Sequence, residues 1–293
     1  MKFYIVDAFT EEIFGGNPAG VVLLPQGIDF PEDEIMIKTA RELRYSETAF
    51  IKSLGNDEFN IRYFTPVEEV ELCGHATIAS FKALVRSGLV ETSGTYINHT
   101  LAGALNITIK DKVIFMDMAK PLKIHEMANQ TDLEALYQIM GLSYQDQKAR
   151  GLTMLPQTIS TGLPDIIMPV VSQKDLEAIT PDFSALSLFS KDHQAVGVHA
   201  FTLEGKDATC HVRNFAPLLG IDEEAATGTA NGALTYYGYL NDFIQAGDES
   251  TFIQGEKMGR PSEVYSRLEV DQGKVLIKIG GKAVILAEGE INL

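Results

Sequence analysis

The sequence predicts two tandem α/β domains of one kind. Three observations carry that reading: the chain length, a corner motif written twice, and the order of strands and helices around each copy. At 293 residues the chain is long for one domain and natural for two of roughly 120 to 160 residues. The stretch RYFTPVEEVELCGHAT at 62–77 returns as VRNFAPLLGIDEEAATGTANGAL at 212–234. Both run Arg-x-Phe-x-Pro, then an acidic loop, then a glycine that opens a small-residue helix. Arg213 follows Arg62 by 151 residues and Gly228 follows Gly74 by 154, so the second loop is slightly longer. Two copies at so long a period mean duplicated domains rather than a solenoid, which needs three or more short repeats.

The elements follow in order. KFYIVDAFT and AGVVLLP read as strands from their β-branched and aromatic content. PEDEIMIKTARELR reads as a helix, with Pro31 in the first turn, acids near the positive dipole end and Arg41 and Arg44 at the other. SETAFIKS and EFNIRYFT are strands, and GHATIASFKALVRSG is a helix ended by Gly88. TYINHT, ALNITIK and KVIFMDM are short strands. AKPLKIHEMANQTD then loses periodicity, which sets the expected boundary near residue 120: residues 1–120 form the first domain and 121–293 the second, with the last strand free to return to the first. The second half replays the order through TMLPQTIST, DIIMPVVS, the helix DFSALSLFS, AVGVHAFTL, ATCHVRNFA, the helix GTANGALTYYGYLND and four closing strands.

Composition narrows the function classes. Hydrophobic residues at 45% and charged residues at 22% describe a globular chain with enough apolar material for two cores. No apolar run approaches the roughly 18 residues of a membrane span. Asp7 interrupts the start where a secretion signal would be apolar, and two cysteines make no disulfide framework, so a cytoplasmic location is expected. A net charge of −16 argues against nucleic acid and against anionic membranes as partners. If the substrate is an anion, the site must supply local positive potential.

The paired corners can supply it. A glycine at a helix start lets a ligand approach the backbone, and first-turn N–H groups attract anions. Gly74-His75-Ala76 and Gly228-Thr229-Ala230 both follow this recipe, and with Asn17 they make up the expected substrate contacts. If the domains pack face to face, both helix starts point into one cleft that binds a small carboxylate. Glu47 is the expected proton-transfer group, because alternation along SETAFIKS places it on one face with Ala49 and Ile51, an environment that makes a carboxylate an effective acid–base. A solvent-facing edge-strand glutamate is the alternative. His75 is either a substrate donor and relay or a structural histidine. Glu223 and Glu224 either cap the second helix or enter the cleft, and Thr229 is either a cap or a hydroxyl donor. GGNPAG lacks dinucleotide spacing and precedes a strand, and no P-loop or G-x-S-x-G elbow is present. The histidines show no ligand spacing and Cys73 with His75 is one pair, so no metal and no cofactor are expected.

DAFTEEIFGGNPAGVVLLP, SETAFI, IRYFTPVEEVELCGHAT and EEAATGTANGAL together resemble the PhzF (phenazine biosynthesis-like) family, over essentially the whole chain. The resemblance implies the diaminopimelate epimerase fold: two similar α/β (α+β) domains related by a pseudo-twofold, each a mixed sheet curled around a central helix, with the active site between them and a homodimer as the assembly. Relatives with that fold use two opposed cysteines; here Thr227 stands where the second would belong and Cys210 lies upstream, so a two-thiol racemase is not expected. The resemblance assigns proton shuttling to Glu47, with His75, Glu224 and Thr229 beside it. This chain has Glu224-Ala225 where the family commonly has Asp-Pro, and Thr229 where it has Ser. The expected function is therefore a cofactor-independent isomerase of a small carboxylate-bearing metabolite. An epimerase of an amino-acid-like substrate and a catalytically idle metabolite-binding or interaction protein are the alternatives.

Overall fold

The computed structural model describes residues 1–293, which separate into two units: Met1–Asp117 with Gly280–Leu293, and Met118–Ile279. In the first unit the strands are β1 (Lys2–Ala8), β2 (Asn17–Leu23), β3 (Thr48–Gly55), β4 (Glu58–Phe64), β5 (Glu69–Val70), β6 (Gly94–Thr100), β7 (Gly103–Lys110) and β8 (Val113–Asp117). Helix α1 (Asp33–Leu43) links β2 to β3, and α2 (Gly74–Ser87) links β5 to β6. The second unit holds β9 (Leu122–Glu126), α3 (Gln130–Ile139), α4 (Tyr144–Ala149), β10 (Gln157–Ser160), β11 (Pro164–Pro169), α5 (Gln173–Ala178), α6 (Phe183–Asp192), β12 (Gly197–Thr202), β13 (Cys210–Ala216), β14 (Ile221–Glu224), α7 (Gly228–Leu240), β15 (Glu249–Gln254), β16 (Ser262–Asp271) and β17 (Lys274–Gly281). The last strand, β18 (Ala283–Glu290), returns to pair antiparallel with β1 in the first unit.

The pairings repeat one for one. β1 is antiparallel to β2, β2 parallel to β3, β3 antiparallel to β4, β4 antiparallel to β5, and β4 parallel to β6. In the second unit β10–β11, β11–β12, β12–β13, β13–β14 and β13–β15 show the same sequence of directions. Each parallel pair needs a crossover, which the helices provide. Helix α2 touches β18, β1, β2, β3 and β8, strands from both ends of its sheet, so the sheet curls around it. Helix α7 stands likewise among β10, β11, β12 and β16.

Being surrounded explains the composition of these helices. Ala76, Ala79, Ser80 and Ala83 of α2, and Ala230, Gly232 and Ala233 of α7, are all buried and small enough to let strands approach from every side. The outer faces of the sheets are covered separately. Val22, Leu24, Met36, Ala40, Phe50 and Phe64 form the core between α1 and its strands. Leu133, Leu136, Tyr137, Met140, Ile166, Met168, Leu186 and Phe215 fill the corresponding layer of the second unit.

Three expectations need correction. Glu47 is not a strand residue but immediately precedes β3, and Ala49, Phe50 and Ile51 are all fully buried, so burial along this strand does not alternate. The cause is coverage of both faces, by α1 on one side and α2 on the other. Helix α1 begins at Asp33, two residues beyond Pro31. The segment 119–132 is not without structure: it holds β9, which pairs with β10, and the start of α3, whose N-cap Asn129 accepts from the Thr131 amide.

The repeated Arg-x-Phe-x-Pro motif is a clamp. Arg62 makes a two-point contact to Glu69, at 2.7 and 2.6 Å, while its guanidinium lies 5.1 Å from the Phe64 ring centroid. Arg213 grips Glu223 at 2.8 and 2.9 Å and lies 4.8 Å from Phe215. Each pair fastens the acidic loop to the strand before the central helix, with the geometry that makes arginine–carboxylate contacts strong. Arg213 is the more deeply placed, 8% exposed against 22% for Arg62, and it also donates to the Leu176 and Ile179 carbonyls. Arg213→Met is expected to cost about 1–3 kcal/mol more than Arg62→Met, because the two carboxylates are equally exposed at 17% but only Arg213 also serves two buried carbonyls. Thermal denaturation of the two variants checks this; equal losses would refute it.

Candidate functional site

The first corner is built where β3 starts and α2 starts. Cys73 is the N-cap of α2 and its side chain makes no capping hydrogen bond. The caps of α3, α4, α5 and α6, by contrast, are Asn129, Ser143, Ser172 and Asp182, each accepting from a first-turn amide. Two residues into α2, His75 is 3% exposed. Its Nε2 lies 3.3 Å from Glu47 Oε2 and 3.3 Å from Ser46 Oγ, and its Nδ1 lies 3.4 Å from Cys73 Sγ. Burial holds the His75 ring below its ordinary value, with the Glu47 charge pulling the other way, so the neutral imidazole is the favoured form. A neutral ring makes the His75–Glu47 contact something less than an ion pair. Glu47 Oε2 is itself buried and lacks a hydrogen-bond partner, since the 3.3 Å approach is not aligned as a hydrogen bond.

The spacing of Cys73 and His75 reads as a pair without partners, and the structure corrects this. The chain turn ahead of β3 brings Glu47 to them, and the three ligand-capable atoms lie within 4.8 Å of one another. Residues 26 positions apart give no spacing signal, so only folding reveals the cluster. Gly74 opens α2 and Ala76 is buried behind His75. Asn17 is 5% exposed at the start of β2, paired in register with Ala8.

The second corner is built where β14 ends and α7 starts. Thr227, the N-cap, does not cap; its hydroxyl donates to Glu224 Oε2 at 2.6 Å. Gln254 braces both, accepting from the Thr227 amide and donating to the Glu224 carbonyl and to Thr227 Oγ1. Glu223 is held in the arginine clamp, so of the two candidate glutamates Glu224 is the one that belongs to the corner. Thr229 is half-buried on the first turn, with its carbonyl accepting from Thr161 Oγ1, and Gly228 and Ala230 flank it as buried residues.

Behind this corner runs a buried polar chain that sequence reasoning missed. Gln254 Oε1 accepts from Asn231 Nδ2, Asn231 Oδ1 meets His199 Nε2 at 3.2 Å, and His199 Nδ1 meets Asn214 Nδ2 at 3.3 Å. Asn214 in turn donates to Asp165. All five side chains are at most 2% exposed. The signal was present as single polar residues set inside apolar strands, as in GVHAFT and CHVRNFA. The pairing of strands shows what the chain replaces. In the first unit Ala49 faces Tyr63, whose hydroxyl bonds Thr77 of α2 at 2.6 Å; in the second, His199 faces Asn214, and Asn231 of α7 takes the place of Thr77. A long tyrosine with an alanine is exchanged for a short asparagine with a histidine.

The same register sets Gly197 at the position of Glu47, since Thr48 faces Phe64 and Val198 faces Phe215. A Cβ on Gly197 would fall inside the van der Waals shell of the Phe215 carbonyl oxygen. The second corner therefore has no room for an acid there.

Comparison with known proteins gives the family. The family model for phenazine biosynthesis-like proteins, PhzC-PhzF, matches residues 6–289. The chain belongs to the PhzC-PhzF family. An uncharacterized isomerase of Clostridium acetobutylicum is 35% identical over 305 residues, covering 100% of this chain and 98% of the relative. The crystal structure of a PhzF-family protein from Bacillus anthracis superposes with a TM-score of 0.87 at 28% identity, covering 100% of this chain and 99% of the other. A hydroxyproline epimerase from Agrobacterium vitis, 13% identical over 99% of this chain and 90% of its own, shares the fold at a TM-score of 0.62. PhzC-PhzF membership places the chain among isomerases, on a fold common to epimerases.

The buried chain generates a pH prediction. Burial pushes Asp165 up to about 7 from 3.8, against the opposing Asn214 hydrogen bond, and pushes His199 down to about 4 from 6.5. Between pH 4 and 6.5 the folded state has already lost the His199 proton that the unfolded chain still carries, so this group makes stability rise with pH. Asp165 acts in reverse: above pH 3.8 the unfolded chain ionises while the folded one keeps its proton until about 7, so stability falls. Asp165→Asn removes only the second effect. The stability of the variant relative to wild type is expected to grow by a few kcal/mol from about pH 4 to 7 and then level off, read from denaturant midpoints across that range. A difference that does not change with pH would refute it.

Proposed function

We propose that the chain isomerises a small carboxylate-bearing metabolite by moving a proton within it, with Glu47 as the acid–base. The observation that carries the proposal is Glu47 Oε2: a buried carboxylate oxygen without a hydrogen-bond partner, 3.3 Å from a buried histidine kept neutral by its surroundings. A proton taken from substrate carbon is the partner that oxygen is missing, and a buried histidine shifted toward its neutral form is the kind of group found where proton transfer occurs. In this reading Glu47 accepts the proton from one carbon and returns it to another position of the same molecule, so no redox equivalent is needed. His75 donates to or accepts from the substrate's exchangeable groups. Glu224, held by Thr227 and Gln254, and Thr229 are the polar groups the second corner offers for orienting a substrate. The first-turn amides at Gly74, at a helix start whose N-cap side chain does not cap it, hold the carboxylate or the charge that develops beside it, and those at Gly228 offer the same kind of free N–H groups in the second unit.

A second reading is an epimerase using Glu47 or Cys73 with another base, favoured by the 3.4 Å contact of Cys73 Sγ with His75 Nδ1. Candidate carboxylate metabolites incubated with the enzyme in deuterium oxide separate the two. The proposal expects a change of constitution, lowered roughly 10²- to 10⁴-fold in Glu47→Gln and retained in Cys73→Ser. Loss of optical rotation without a constitutional change, abolished in either variant, selects the epimerase. Turnover and deuterium uptake undiminished in both variants would defeat both readings.

A further inference from the structure

We infer that Thr227 and Gln254 are positioning residues of the second corner, fixing Glu224 as a hydrogen-bond acceptor at Oε2 through a donor direction set by the backbone. The inference rests on the reading that Glu224 orients substrate, and it concerns how that carboxylate is held. Direction follows from groups whose roles are not interchangeable. The Thr227 amide can only donate, and it donates to Gln254 Oε1 at 3.1 Å. The Glu224 carbonyl can only accept, and it lies 2.8 Å from Gln254 Nε2. The Gln254 carboxamide therefore has one orientation, and its other Nε2 hydrogen goes to Thr227 Oγ1 at 3.1 Å. Thr227, receiving there, gives its single hydroxyl proton to Glu224 Oε2 at 2.6 Å. Asn231 obeys the same logic. Its Nδ2 donates to the Thr227 carbonyl and to Gln254 Oε1, both at 2.9 Å, so Oδ1 faces His199 and the proton of that neutral ring sits on Nε2. Gln254 is fully buried and uses both acceptor sites and both donor hydrogens, which leaves it no other arrangement.

The first unit shows what is particular to the second. There Asn98 donates to the Tyr63 hydroxyl, Tyr63 meets Thr77, and Thr77 donates to the carbonyl of the N-cap Cys73, where the series stops. Asn231 reaches the carbonyl of the N-cap Thr227 in the same way, and the branch through Gln254 is additional. Counted from the repeated arginines, strand register sets Thr100 where the second unit has Gln254. Thr100 bonds inside its own hairpin, to the Gly103 carbonyl. Three residues before the N-cap stands Val70 in the first unit and Glu224 in the second. The extra branch and the acid therefore occur together, which is the pattern of a support built for that acid.

Nuclear magnetic resonance on the substrate-free chain tests the direction and the contact. With labelled histidine, the His199 signal, identified by its loss in His199→Asn, is expected to show the proton on Nε2; a proton on Nδ1 reverses the series and overturns the inference. With labelled glutamate, the Glu224 carboxyl resonance, identified by its loss in Glu224→Gln, is expected to shift in Thr227→Val and to return in Thr227→Ser, which restores the hydroxyl. Gln254→Glu keeps the acceptor but loses the donor, so it draws the Thr227 proton away from Glu224. Its effect on the Glu224 resonance is expected to be largely lost in the Thr227→Val background, because the two residues act as one unit. A resonance unmoved in Thr227→Val, equally moved in Thr227→Ser, or moved as far by Gln254→Glu without the hydroxyl overturns the inference. In turnover, kcat is expected to fall roughly 10- to 100-fold in Thr227→Val, the worth of one hydrogen bond to a charged group, and to be retained in Thr227→Ser. Unchanged kcat in Thr227→Val, with turnover still lost in Glu47→Gln, overturns the positioning role and leaves the proposed function standing. Turnover indifferent to Glu47→Gln defeats the proposed function instead, and the two spectra still decide how Glu224 is held.

Discussion

A helix enclosed by strands on every side has no water to satisfy its polar atoms, and the rest of each unit follows from that constraint. Side chains on such a helix must be small, or must find their partners inside. Thr77 and Ser80 of α2 hand their hydroxyl protons back to the carbonyls of Cys73 and Ala76, and Thr235 of α7 does the same with Asn231. Each such group left unpaired would cost on the order of 1–3 kcal/mol. At the helix starts the N-cap side chains are turned to other work: Thr227 to Glu224, and Cys73 toward His75. The arginine clamps make this arrangement possible, because they tie the acidic loops down before the helices begin.

Much of the fold was legible because its punctuation is local. Gly88 ends α2 in the left-handed conformation that favours glycine, and the duplicated motif marks equivalent places in both units. What the motif does was not legible: nothing in the spacing of Arg62 and Arg213 marks them as the grips on Glu69 and Glu223 that they are. The stretch 119–132 misled because β9 is short and largely exposed, so it carries no apolar alternation. Helices α3, α4 and α5 are declared by their caps at Asn129, Ser143 and Ser172 more than by periodicity.

The site was legible in places. Glu47 and His75 were readable as separate candidates, but not their meeting with Cys73, because the contact depends on the turn between α1 and β3 rather than on spacing. The chain Asp165, Asn214, His199, Asn231 and Gln254 spans five elements and obeys no period. Polar residues inside apolar strands were its only trace, and such residues are as easily read as noise in a strand pattern.

Gly197 carries the furthest consequence. Duplicated halves begin as equals and could in principle each acquire a carboxylate, giving a symmetrical pair of bases. Here the backbone of β13 presses so closely on β12 that any side chain at Gly197 meets the Phe215 carbonyl. The two halves are therefore unequal at this position: the first accommodates a glutamate, whereas in the second neighbouring strands would have to separate before a methyl group could fit.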